Sequence, residues 1–127
     1  MTKYFHTKVN DKMYYGKHLH LDCKSCMRNK VQDIVLWKHF LQELVIDIDM
    51  EAHGEPIVER FGGGIDVGIS GVQFITTSLI SVHTNDESGD AYLDVFSCKW
   101  FDEDIVKVKV DEFFEPLNMK LIILLRG

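Results

Sequence analysis

Ser78, His83 and Cys98 lie in one β-rich stretch of a 127-residue chain. A hydroxyl and a thiol can act as nucleophiles, and an imidazole can move a proton. Asn85-Asp86-Glu87-Ser88-Gly89-Asp90 is a cluster of turn formers. The runs on either side of it, Ser70 to Thr84 and Ala91 to Cys98, are rich in strand-forming residues and read as the arms of a hairpin. With the turn centred on Ser88, Cys98 faces Ser78 and Leu93 faces His83, and facing residues have Cβ atoms about 5 Å apart. Ser70 shares a face with Ser78 if the strand is regular. His83, at an odd separation, points away unless a bulge or break intervenes.

The elements that must hold these groups follow from periodicity. Gly16 to Asp22 alternates, with Leu19 and Leu21 on one face and His18 and His20 on the other, as a short strand does. From Asn29 to about Asp49 apolar residues recur at near-helical spacing, which predicts an amphipathic helix of roughly five turns. Ile57 to Phe61 reads as a strand ahead of Gly62-Gly63-Gly64. Asp102 is a candidate N-cap for a second helix that Pro116 ends, and the apolar run Leu121 to Leu125 has strand length. This order predicts an α+β fold, a two-layer sandwich of a mainly antiparallel sheet with two helices on one face. The other sheet face is left for a partner or for solvent.

With 46% hydrophobic residues the chain can fill one core, so residues 1–127 are expected to form a single domain. Twenty acidic against fourteen basic side chains, a formal charge of -6, repel phosphate backbones and anionic lipids, and neither nucleic acid nor a membrane is an expected partner. The N-terminal stretch carries no signal-like apolar run and no later run reaches the length of a membrane span, so the expected location is cytoplasmic. Cys23, Cys26 and Cys98 are an odd number and are read as thiols.

Gly68-Ile69-Ser70-Gly71-Val72, Thr77-Ser78, Val82-His83-Thr84, Glu87, Gly89 and Asp94-Val95-Phe96-Ser97-Cys98 together resemble, without a gap, the core of prokaryotic S-adenosylmethionine decarboxylases. Gly16-Lys17-His18-Leu19 looks like that family's first strand. The resemblance implies a pyruvoyl-dependent enzyme that makes its own cofactor. The Ser78 hydroxyl attacks the Thr77 carbonyl to form an ester, loss of the Ser78 Cα proton expels the upstream chain, and the dehydroalanine left behind hydrolyses to a pyruvoyl group. The products are a β chain, 1–77, and an α chain, 78–127. By the same resemblance Ser70 supports the oxyanion, His83 removes the proton, and Cys98 returns a proton to the product carbanion. Glu87 grips the substrate's ribose. The pyruvoyl ketone forms a Schiff base with S-adenosylmethionine and takes up the electrons released as carbon dioxide leaves. The product is the aminopropyl donor for spermidine synthesis, and a homodimer or higher homo-oligomer is implied, with sites near its interface.

Thr77 and Leu79 stand where the family usually has glutamate and histidine, Asn85-Asp86 replaces an aromatic-proline pair, and Lys99 replaces a glycine. These departures keep three rivals open. One is a pyruvoyl enzyme acting on arginine or ornithine, another an unprocessed, non-catalytic binding or regulatory paralogue, and the third a Cys98–His83 thiol enzyme. Tyr4, Phe5, Tyr14 and Tyr15 are candidates for the aromatic faces that a sulfonium favours. Cys23 and Cys26 with His18 and His20 could satisfy tetrahedral zinc, but all four lie on one strand and its exit, and no metal is expected. Gly62-Gly63-Gly64 lacks the lysine and the following helix of a phosphate loop.

Overall fold

The computed structural model describes residues 7–127. A short hairpin, β1 (Thr7–Val9) and β2 (Lys12–Tyr14), leads into β3 (Gly16–Lys24). Two helices follow, α1 (Arg28–Val31) and α2 (Ile34–Asp47), then β4 (Ile57–Phe61), β5 (Gly68–Ile75), β6 (Ser78–Asn85), β7 (Asp90–Ser97), α3 (Glu103–Phe114) and β8 (Asn118–Arg126). The main sheet has the order β4-β5-β6-β7-β3-β8, and every neighbouring pair is antiparallel. The α+β fold with a mainly antiparallel sheet is as expected.

The single long helix expected from 29 to 49 is instead two. Asp33 takes an extended conformation and its carboxylate accepts a hydrogen bond from the Leu36 amide, 3.1 Å, which ends α1 and caps α2. Asp102 caps α3 in the same way, accepting from the Asp104 amide at 2.9 Å. Trp37 stacks on Phe114 where α2 meets α3, with Phe40 packed edge-on against both, and Leu19, Leu21, Ile69, Ile80, Leu93 and Val95 supply the sheet side of the same core. One polar intruder, Lys17, is buried because its ammonium donates to the Phe101 carbonyl, 2.8 Å, and to the Glu103 carboxylate.

Two expectations about the hairpins fail, each for a local reason. The run from Ser70 to Thr84 is not one strand, because the two-residue turn Thr76-Thr77 folds it back, pairing Ile75 with Ser78 and Ser70 with His83. The second turn holds four residues, so Ser78 faces Ser97 rather than Cys98, and His83 faces Tyr92 rather than Leu93. Asn85 fixes that turn. Its side-chain oxygen accepts from the Ser88 amide, 3.0 Å, and its carbonyl from the Gly89 amide, 2.9 Å, while Gly89 takes a φ of 75° that other residues disfavour. The shift of one residue exchanges the faces of a strand, which is why Leu93 enters the core while His83 stands on the open face.

Candidate active site

The residues singled out from the sequence fall into two groups at opposite ends of β6. At its start lie Ser78 and Cys98. The Thr77 carbonyl, the one Ser78 would attack, accepts a hydrogen bond from the Cys98 backbone amide at 3.1 Å. An amide aimed at that oxygen polarises the carbonyl and can hold the oxyanion that attack creates. The turn itself is tied down. The Thr77 hydroxyl is 2.8 Å from that of Ser97 and 3.3 Å from the Met50 sulfur, and the Thr76 amide donates to the Glu51 carbonyl at 2.9 Å. A cavity of about 250 Å³ beside the turn is lined by Met50, Thr76, Thr77 and Lys99, and Lys99 donates to the Asp49 carbonyl at 2.5 Å.

Near the other end stand Ser70 and His83, cross-strand neighbours on the open face, with the serine hydroxyl 3.0 Å from the imidazole Nδ1. His83 and Glu87 line one cavity of about 570 Å³ together with Asp66 and Tyr92. Ser78 and His83 are separated by five positions along a strand, roughly 16 Å at about 3.3 Å per residue. Within one chain the Ser70–His83 pair therefore does not reach the Thr77–Ser78 bond.

Between the two ends, His18, His20, Asp94, Phe96 and Arg126 surround a further open-face cavity of about 430 Å³. Tyr15 stacks on Phe96 with ring centroids 6.4 Å apart, whereas Tyr14 lies under Lys12 on the small hairpin. Tyr4 and Phe5 lie outside the described residues. The metal reading that joined His18 and His20 to Cys23 and Cys26 is overturned by alternation. Cys23 points into the core and the imidazoles point to the opposite face. Burial pushes the Cys23 thiol up to about 12, with Cys26 adding to it, and the Cys26 thiol up to about 11, so neither is a ready thiolate.

The grip of the Cys98 amide on Thr77 could not be read from side-chain types. The only signal for it is a pair of threonines between two β-rich runs, which marks the turn weakly. The meeting of Asp94 with the two histidines needed the strand order, since β3 and β7 are neighbours in the sheet but lie far apart along the chain.

A family model described as S-adenosylmethionine decarboxylase matches residues 17–127. This chain belongs to the S-adenosylmethionine decarboxylase family. It is 28% identical over 112 residues to the S-adenosylmethionine decarboxylase proenzyme of Geobacillus kaustophilus, covering 88% of this chain and 87% of that one. Against the proenzyme of Thermodesulfovibrio yellowstonii the identity is 30% over 113 residues, covering 88% and 81%. The matched stretch spans a smaller part of other relatives in the family, 61% of the proenzyme from Symbiobacterium thermophilum at 27% identity over 66% of this chain. The adenosylmethionine decarboxylase of Aquifex aeolicus shares the fold, with a TM-score of 0.74, 22% identity, and coverage of 88% of this chain and 90% of that one. Family membership agrees with the resemblance carried by the motif from Gly68 to Cys98, and nothing in these similarities favours arginine, ornithine or a non-catalytic role.

Proposed function

We propose that this chain is a proenzyme that cleaves itself between Thr77 and Ser78 and then decarboxylates S-adenosylmethionine. The observation that carries this reading is the 3.1 Å hydrogen bond from the Cys98 amide to the Thr77 carbonyl, the one carbonyl that must become an oxyanion if Ser78 attacks. In that step the Ser78 Oγ–carbon bond forms and the Thr77–Ser78 amide bond breaks, leaving an ester. Removal of the Ser78 Cα proton then breaks the ester, Thr77 leaves as a carboxylate, and the dehydroalanine hydrolyses with loss of ammonia.

The pyruvoyl group so formed supplies an electron sink for the carboxylate carbon. The chain's own residues do the rest. Cys98, one residue beyond the facing partner of Ser78, is positioned to return a proton, and Glu87 with its carboxylate in the His83 cavity suits the ribose hydroxyls. For processing, His83 is the base that removes the Ser78 Cα proton, and Ser70, 3.0 Å from its Nδ1, supports the oxyanion. Because they stand roughly 16 Å from Ser78 along β6, they serve the Ser78 of a second copy rather than their own.

The open face supports that second copy. Ile57, Phe61, Phe74, Ile122 and Leu124 are large apolar side chains on the sheet, each at least two-fifths exposed. A sheet face this apolar is covered when two such faces meet. Among the described residues no helix is long and apolar enough to cross a membrane.

Carbon dioxide release by the purified chain tests the substrate, with S-adenosylmethionine, arginine and ornithine supplied separately. Release from S-adenosylmethionine alone, abolished by a carbonyl reagent, is the expected outcome. Release only from arginine or ornithine overturns the substrate, and an intact chain inactivated solely by thiol alkylation overturns the cofactor.

A further inference from the structure

We propose that His18, His20 and Asp94 form a binding site for one divalent transition-metal ion of the zinc class, on the open face of the sheet. Strand register brings the three residues together. His20 on β3 directly faces Asp94 on β7, and His18, two residues earlier on the same face, faces Phe96. Alternation keeps Leu19 and Leu21 in the core, so both imidazoles emerge on one side.

Both rings converge on the same carboxylate oxygen. His20 Nδ1 lies 2.5 Å and His18 Nε2 3.7 Å from Asp94 Oδ1, with ring centroids 4.2 Å apart. One ligand atom from each residue falls within 4.8 Å of the others. A tetrahedral ion with bonds of about 2.0–2.2 Å asks for ligand atoms roughly 3.5 Å apart, a change within reach of side-chain rotation. A single hydrogen bond accounts for His20 beside Asp94 but leaves the approach of His18 to the same oxygen unexplained.

Two nitrogens and one carboxylate oxygen favour zinc, cobalt, nickel or copper over magnesium or calcium. The adjoining cavity of about 430 Å³ leaves room for a fourth ligand. Arg126, whose guanidinium carbon sits 5.0 Å from the centroid of the Phe96 ring, puts a cation at the rim. That charge disfavours a second metal and selects an anionic or water-derived fourth ligand.

The test is titration of the purified full chain with zinc against a chromophoric chelator, and with cobalt followed by visible absorption. The expected result is one ion per chain, a tetrahedral cobalt spectrum without thiolate charge transfer, and loss of affinity in His18→Gln, His20→Gln and Asp94→Asn. Each loss should exceed the roughly 10–100-fold that removal of an outer hydrogen-bond partner costs. No stoichiometric binding by the wild-type chain overturns the proposal. So does a cobalt spectrum dominated by thiolate bands, or folded variants that bind as the wild type does. The readout is metal stoichiometry, so the site stands or falls separately from the decarboxylase reading.

Discussion

The two ends of β6 are built differently. At the Ser78 end the backbone is tied down by a neighbouring strand's amide, a serine, a methionine sulfur and the segment at Glu51. At the His83 end the pair Ser70–His83 stands on an exposed face, joined by its own hydrogen bond. If Thr77–Ser78 is the bond that breaks and His83 the base, one end holds the bond for attack and the other presents the base outward, to a surface that a second copy would supply. Processing would then depend on assembly, and an isolated chain would have no complete site.

That contrast can be broken at either end. Ser78→Ala removes the attacking hydroxyl, and we expect no cleavage and no carbon dioxide release from S-adenosylmethionine, the largest effect of all. His83→Ala should slow cleavage by roughly 100- to 10,000-fold. Co-expression with the Ser78→Ala chain should restore cleavage of the His83→Ala chain, because each supplies what the other lacks. Failure of that rescue, with both chains folded and associated, returns the base to the same chain as its target. Phe74→Asp, on the open face beside the turn, should shift the gel-filtration position toward the monomer and slow cleavage, while the far-ultraviolet spectrum is unchanged.

Smaller effects sharpen the comparison between the tightly fitted hairpins and the exposed face. At Gly68 an added Cβ would lie 1.8 Å from the Thr84 carbonyl oxygen, a backbone atom with little freedom to move. Gly68→Ala should cost about 1–3 kcal/mol in urea unfolding. Of smallest size is an acid-side effect at the core. The hydrogen bond from Lys17 holds the Glu103 carboxyl below its ordinary value, so its contribution to stability is present above that value and fades as pH falls through the lowered one. Lys17→Met should flatten stability against pH in that acid range, measured by thermal unfolding at a series of pH values.

The face of the sheet that packs on the helices was legible because alternation and helical spacing mark it directly, as at Leu19, Leu21, Phe40 and Leu44. What escaped was register. Counting from Ser88 set Cys98 opposite Ser78, but a turn of four residues capped by Asn85 moved the pairing by one. The turn at Thr76-Thr77 escaped for a related reason, since β-branched threonines favour strands and gave little warning of a fold-back. The motif pointed to the family without any knowledge of register, because the resemblance rests on Ser70, Ser78, His83 and Cys98 being present in order. Sequence separation along the chain carried no sign that Ser70 and His83 stand most of a strand away from Ser78.

The intact mass of the purified 14.7 kDa chain under denaturing conditions, beside that of Ser78→Ala, reads self-cleavage without recourse to any substrate. Expected are two fragments from the wild type, one ending at Thr77 and one beginning with a pyruvoyl group in place of Ser78, and one undivided mass from the variant. A wild-type chain that stays whole after long incubation as an associated, folded protein would contradict self-cleavage.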